Sequence, residues 1–185
     1  PLHVVPWQRR VDARGGGAVP VWPGAIGTPR WRGDRQFVMR RNPDPEHAAL
    51  LVIEPGEDGA PVERTLVDPF ALDPTGLTTL DAWQPSIEGD LLAYQLSEGG
   101  TEENVLRVMD VTTGELVDGP IDRGRYSPVA WLPADAGPRA FYYVRRLPPE
   151  GLPESERQFH RRVYLHRLGD DPADDVEIFG SGRDI

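Results

Sequence analysis

The chain has 185 residues, a net charge of −10 and basic residues that are all Arg, 20 in number; that length is enough for one ordinary domain with a sizeable core. The acidic balance argues against a nucleic-acid partner, which needs a basic surface to neutralise phosphates. The absence of Cys removes disulfides, thiolate metal sites and a Cys nucleophile together.

The chain starts at Pro1 with no Met and no charged-then-apolar leader, so it is expected to be a fragment or a processed product. No apolar run approaches the roughly 20 residues that cross a bilayer. Residues 1–27 combine closely spaced Pro and Gly, including Gly15-Gly16-Gly17, with Trp7 and Trp22 and no strand alternation. This segment is expected to be poorly ordered.

From residue 28 onward an internal repeat is visible. Trp31, Trp83 and Trp131 stand 52 and 48 residues apart, and each is followed by a Gly-bearing turn and an apolar strand with an aromatic: Phe37, Tyr94 and Phe141. A polar loop comes next, then a third strand (Ala48–Ile53, Val105–Val111, Arg162–Leu168), another turn and a short fourth strand (Arg64–Val67, Glu115–Val117, Val176–Phe179). Four strands repeated with a period near 50 are the signature of β-propeller blades. A sandwich of short strands shares the turn spacing but does not predict the repeat. The expected fold is all-β: about three four-stranded antiparallel blades over 28–69, 70–119 and 120–180, in a ring that does not close. One or two helical turns are expected within Leu152–Val163. Residues Trp31, Phe37, Phe141, Tyr143 and Tyr164 are expected on the uncovered outer faces of the end blades.

Several short runs carry a resemblance to a known family. They include Leu66-Val67-Asp68-Pro69, Leu80-Asp81-Ala82-Trp83-Gln84-Pro85-Ser86, Leu92-Ala93-Tyr94, Tyr126-Ser127-Pro128-Val129-Ala130-Trp131, Ala140-Phe141-Tyr142-Tyr143 and Val163-Tyr164-Leu165-His166. In order and spacing these resemble the propeller domain of the prolyl oligopeptidases; Phe70 departs from the Asn often found after the Asp-Pro pair. The resemblance implies a cytoplasmic serine endopeptidase that cleaves short peptides after proline. There a seven-bladed propeller caps an α/β-hydrolase domain and restricts entry to small peptides. The catalytic residues belong to the hydrolase part, so no catalytic residue is expected in this chain. The implied partners are the remaining blades, the hydrolase domain and short proline-containing peptides, with no nucleic acid and no membrane. Phe141 resembles an aromatic that lines the family's substrate pocket; blade packing is the alternative.

The residues agree with a non-catalytic chain. None of Ser86, Ser97, Ser127, Ser155 and Ser181 lies in a Gly-x-Ser-x-Gly setting, which a nucleophile elbow requires. The chain alone should be inactive, with no cofactor and no metal. His160 and His166 are six apart and lack a third ligand for zinc. Asp170, Asp171, Asp174 and Asp175 are expected to form a solvated acidic hairpin, not a calcium loop. Arg32-Gly33-Asp34 is expected to be a tight hairpin turn, and the Arg pairs at 40–41, 145–146 and 161–162 to make surface ion pairs. Two other readings stand beside the peptidase: a stand-alone propeller-type protein-interaction module, and a truncated reading frame.

Overall fold

The structure is a computed structural model that describes residues 4–5, 25–41, 48–101, 103–124 and 127–181. It divides into two units, Pro1–Gly76 and Leu77–Ile185.

The first unit holds one sheet. Its meander runs β3 (Arg30–Arg32), β4 (Arg35–Arg41), β5 (Ala48–Pro55) and β6 (Pro61–Val67), with β2 (Ala25–Ile26) beside β3 along β4 and β1 (Val4–Val5) on the far edge of β6. Most of the segment expected to be poorly ordered, residues 1–27, lies outside the described residues. Its two described pieces, β1 and β2, are paired strands. The turn between β3 and β4 is the expected Arg32-Gly33-Asp34 hairpin, with Arg32 paired to Arg35 and Gly33 at φ +55°, a conformation that Gly adopts without steric cost. Alternation sends Phe37, Leu50, Val52 and Val67 to one face and Val38, Ala49 and Leu51 to the other, and all are buried. Each face also buries charge. Glu54 accepts hydrogen bonds from Arg35 and Arg64 at 2.8 Å each on the Phe37 face. On the Val38 face, Arg40 grips Glu63 through two bonds of 2.6 Å. The Arg40–Glu63 pair is therefore buried, not the surface pair expected.

A short helix, α1 (Pro69–Leu72), follows β6. Asp68 caps it by accepting from the Phe70 and Ala71 amides, and Pro69 occupies the first helical position, where no donor is needed.

The second unit contains two four-stranded meanders. The first of them is β7 (Thr78–Pro85), β8 (Leu91–Glu98), β9 (Asn104–Asp110) and β10 (Leu116–Gly124); the other is β11 (Ala130–Trp131), β12 (Ala140–Arg146), β13 (Arg161–Arg167) and β14 (Val176–Phe179). All neighbours in both sheets are antiparallel, and no sheet closes on itself. The expected short fourth strand at Glu115–Val117 instead continues to Gly124, across the expected blade boundary at 119/120. Asp118-Gly119-Pro120 has the composition of a turn but forms a bulge. Asp118 pairs with Val108 and Ile121 with Leu106, so three steps on β10 match two on β9. The expected helical turns within Leu152–Val163 reduce to one 3₁₀ turn, Glu154–Glu156, because β13 already begins at Arg161.

The core of this unit lies between its two sheets. It joins Leu91, Ala93, Leu106, Val108 and Ile121 of the first meander to Val129, Trp131, Phe141 and Tyr143 of the other. Phe37, Phe141 and Tyr143 are thus interior residues, correcting their expected place on an uncovered face; Trp31 is exposed and Tyr164 half-buried. On β12 the residues of opposite parity, Tyr142 and Val144, take the other face, where Val163 and Leu165 of β13 stand beside them.

Candidate functional site

A group of buried titratable side chains lies where the two sheets of the second unit meet. The β10 bulge is what builds it. In a regular strand Asp118 and Ile121, three apart, would point to opposite faces. The extra residue puts both on the face shared with Val108 and Leu106, toward the neighbouring sheet.

His166 of β13 is wholly buried beside Phe141, at a ring separation of 5.2 Å, and Tyr143, at 6.2 Å. Its Nε2 lies 3.2 Å from Asp118 Oδ2 and its Nδ1 2.8 Å from Asp175 Oδ1. Tyr143 donates its hydroxyl to Asp175 Oδ2 at 2.6 Å, and the Gly169 amide donates to Asp118 Oδ2 at 2.7 Å. Burial opposes a charged imidazole, but the bonds and charges of Asp118 and Asp175 outweigh it and raise the His166 pKa above its ordinary value. Burial likewise opposes ionisation of Asp118, yet His166 and the Gly169 and Gly119 amides hold its carboxyl below the usual range. The Tyr143 hydroxyl is pushed up by burial and by the Asp175 carboxylate.

Around this centre the charges are sorted by sheet. Arg139 reaches Glu88 at 2.7 Å and also Asp90; Arg145 reaches Asp122; and Arg146 reaches Glu103 at 2.7 Å. With His166 and Asp118 included, every cation in these pairs stands on the third sheet, β11–β14, or in one of its turns. Every carboxylate reached across stands on the second sheet or its turns. Two further bonds cross the same seam: Trp131 Nε1 donates to the Gln84 carbonyl at 3.0 Å and Gln95 Nε2 to the Ser127 carbonyl at 2.7 Å.

This constellation has acids and a base but no nucleophile, and its geometry blocks general-base work. Both imidazole nitrogens already face carboxylates, so no lone pair is open to a substrate proton. Ser86 is a turn residue: its hydroxyl donates to Asp90 at 2.7 Å and accepts from the Gly89 and Leu91 amides. His160 pairs with Glu156 at 2.9 Å, while His3 and His47 lie outside the described residues. Among the described residues no group of three or more His, Asp or Glu side chains is arranged to hold a metal.

Phe141, which the resemblance places at a substrate pocket with blade packing as the alternative, is fully buried and packs edge-on against Trp131 at 5.0 Å and Tyr143 at 5.9 Å. It presents no surface to a ligand here; its observed contacts are those of a core residue. The acidic turn also differs from expectation. Asp175 is buried by its bonds to His166 and Tyr143, although Asp170, Asp171 and Asp174 stay exposed.

The domain family described as prolyl oligopeptidase, N-terminal β-propeller, matches residues 24–184. The chain belongs to the prolyl oligopeptidase family, in its N-terminal propeller domain. Within that family it is 30% identical over 127 residues to the prolyl endopeptidase of Elizabethkingia meningoseptica, and 28% identical over the same length to that of Elizabethkingia miricola. Each match covers 69% of this chain and 18% of the relative, so the chain spans about a fifth of these prolyl endopeptidases. A solved prolyl endopeptidase, from a comparison of two such enzymes concerned with inter-domain dynamics, superposes with a TM-score of 0.70 at 30% identity; 84% of this chain and 22% of that one are covered. Oligopeptidase B from Leishmania major shares the fold, with a TM-score of 0.64 at 16% identity over 85% of this chain and 21% of its own.

Proposed function

We propose that the chain forms consecutive blades of the propeller that gates a cytoplasmic serine endopeptidase cleaving short peptides after proline. The observation that carries this reading is the run of three open meanders, which superposes on a solved prolyl endopeptidase with a TM-score of 0.70 at 30% identity. The role is passive in chemistry. No Gly-x-Ser-x-Gly segment occurs in the 185 residues, and among the described residues the one buried imidazole is held by carboxylates on both sides. The blades contribute a rigid wall, and Phe141 serves it from within by fixing Trp131 and Tyr143. The partners in this reading are the remaining blades and an α/β-hydrolase domain that carries the nucleophile; the substrates are short proline-containing peptides.

Incubating the purified chain with a chromogenic Gly-Pro substrate tests the division of labour. No release above buffer is expected. Release abolished by a serine-directed phosphonate would show a nucleophile in this chain and overturn the reading.

A further inference from the structure

The arrangement around His166 has a consequence that the propeller reading does not contain. A neutral imidazole carries one N–H and one lone pair, whereas an imidazolium carries two donors. Here Asp118 and Asp175 address opposite nitrogens of a wholly buried ring, at 3.2 and 2.8 Å. In either neutral tautomer a lone pair would face a carboxylate oxygen across one of those distances. Only the doubly protonated ring satisfies both partners. Moving the proton to Asp118 is opposed by the Gly169 amide, which already donates to the same oxygen as His166.

We propose that His166 is a proton-dependent latch between the second and third sheets: as imidazolium it ties Asp118 of β10 to the β13–β14 turn, and losing its proton weakens that seam. The bond to Asp118 crosses between sheets, while Asp175 belongs to the turn leading into β14, so one proton serves both the seam and the local turn. Asp118 from β10 and Asp175 from the turn face the ring itself, and Tyr143 of β12 bonds Asp175; beyond them stand Arg145 of β12, Asp122 and Arg123 of β10, Tyr164 and Arg162 of β13, and Glu177 of β14. Arg145 is neutralised across the seam by Asp122.

The raised His166 pKa sets the direction. The latch is fully closed below the ordinary imidazole value of about 6.5 and is lost as pH rises through the folded-state value. Asp118, held low, adds the opposite limb: its share is present above its ordinary value and is lost as pH falls through the depressed one.

The test is a pH titration of the histidine ring nitrogens by ¹H–¹⁵N NMR on the 185-residue chain, alongside urea unfolding at each pH. His166 is expected to show two protonated nitrogens at neutral pH and a midpoint above about 6.5. In Asp118→Asn that midpoint should fall by at least about one unit, a tenfold loss of proton affinity. The urea midpoint should decline as pH rises through the His166 titration in the parent chain and lose that alkaline limb in His166→Gln. Should His166→Gln not fold, the ring titration of the parent chain still decides. A midpoint at or below the ordinary value, a single protonated nitrogen at neutral pH, or an unchanged midpoint in Asp118→Asn would each overturn the latch.

Discussion

Replacing Phe141 with Ala is the most searching perturbation of the seam, because it separates a core residue from a ligand-facing one. The ring has no exposed surface, touches both sheets' core residues, and makes two edge-on aromatic contacts, to Trp131 and Tyr143. Truncating a buried Phe to Ala costs about 3–5 kcal/mol in transfer and cavity terms. Edge-to-face pairs contribute about 0.5–1.5 kcal/mol each beyond area burial, so the upper part of that range is expected. Against the roughly 5–15 kcal/mol that holds a typical domain, this is a large fraction. With a urea dependence of about 2 kcal/mol per molar, the unfolding midpoint should drop by about 2 M, read by far-ultraviolet circular dichroism at neutral pH. Phe141→Leu keeps most of the volume and should cost well under half as much. A loss below about 1 kcal/mol for Phe141→Ala would mean that the ring is not packed as described, and the seam account would fail with it.

Three further outcomes are expected. Gly119→Ala should destabilise the second sheet by more than about 1 kcal/mol, since Gly119 sits at φ +96° and a Cβ there would meet the Leu106 carbonyl oxygen at 2.8 Å and the Arg107 Cα at 3.1 Å; an unshifted melting temperature would contradict the bulge. A double-mutant cycle on Arg145 and Asp122 should give a coupling of about 0.5–1 kcal/mol that shrinks in high salt, because Asp122 is largely exposed; a salt-independent coupling would refute that. Burial opposes ionisation of Glu54, but Arg64 and Arg35 prevail and hold its carboxyl low. Its stabilisation is present above its ordinary value and lost as pH falls through the depressed one. Glu54→Gln should therefore flatten the acid limb of stability in the first unit; an unchanged acid limb would remove Glu54 from that role.

The meanders were legible because tryptophan spacing and strand alternation are both local to each blade. Strand cores at Arg35–Arg40, Leu91–Leu96 and Val176–Phe179 follow from runs that alternate between turns. What misled was turn chemistry inside a strand. Asp118-Gly119-Pro120 has turn composition, and only the pairing of β10 with β9 reveals a bulge. That bulge aims Asp118 at His166, so the buried centre could not be assembled from sequence: its members lie 48 and 9 residues from His166 and meet through tertiary packing. The acidic run at 170–175 looked uniformly solvated because composition does not say which carboxylate turns inward. Face assignment failed for Phe141 and Tyr143 for a similar reason, since alternation says which residues share a face but not which face is covered. The α1 helix was missed, although Asp68 followed by Pro69 is a start signal for one.

The proposal that this chain supplies blades to a prolyl-specific peptidase is tested most directly by a chimera. The matching propeller segment of the Elizabethkingia meningoseptica prolyl endopeptidase, which shares 30% identity over 127 residues, would be replaced by the corresponding residues of this chain. Cleavage would then be measured on a short and a long peptide carrying the same proline site. The account predicts cleavage of the short peptide with the long one still excluded, and relaxed exclusion when Phe141→Ala is added. A folded, active chimera that cleaves both peptides equally without that substitution would contradict it.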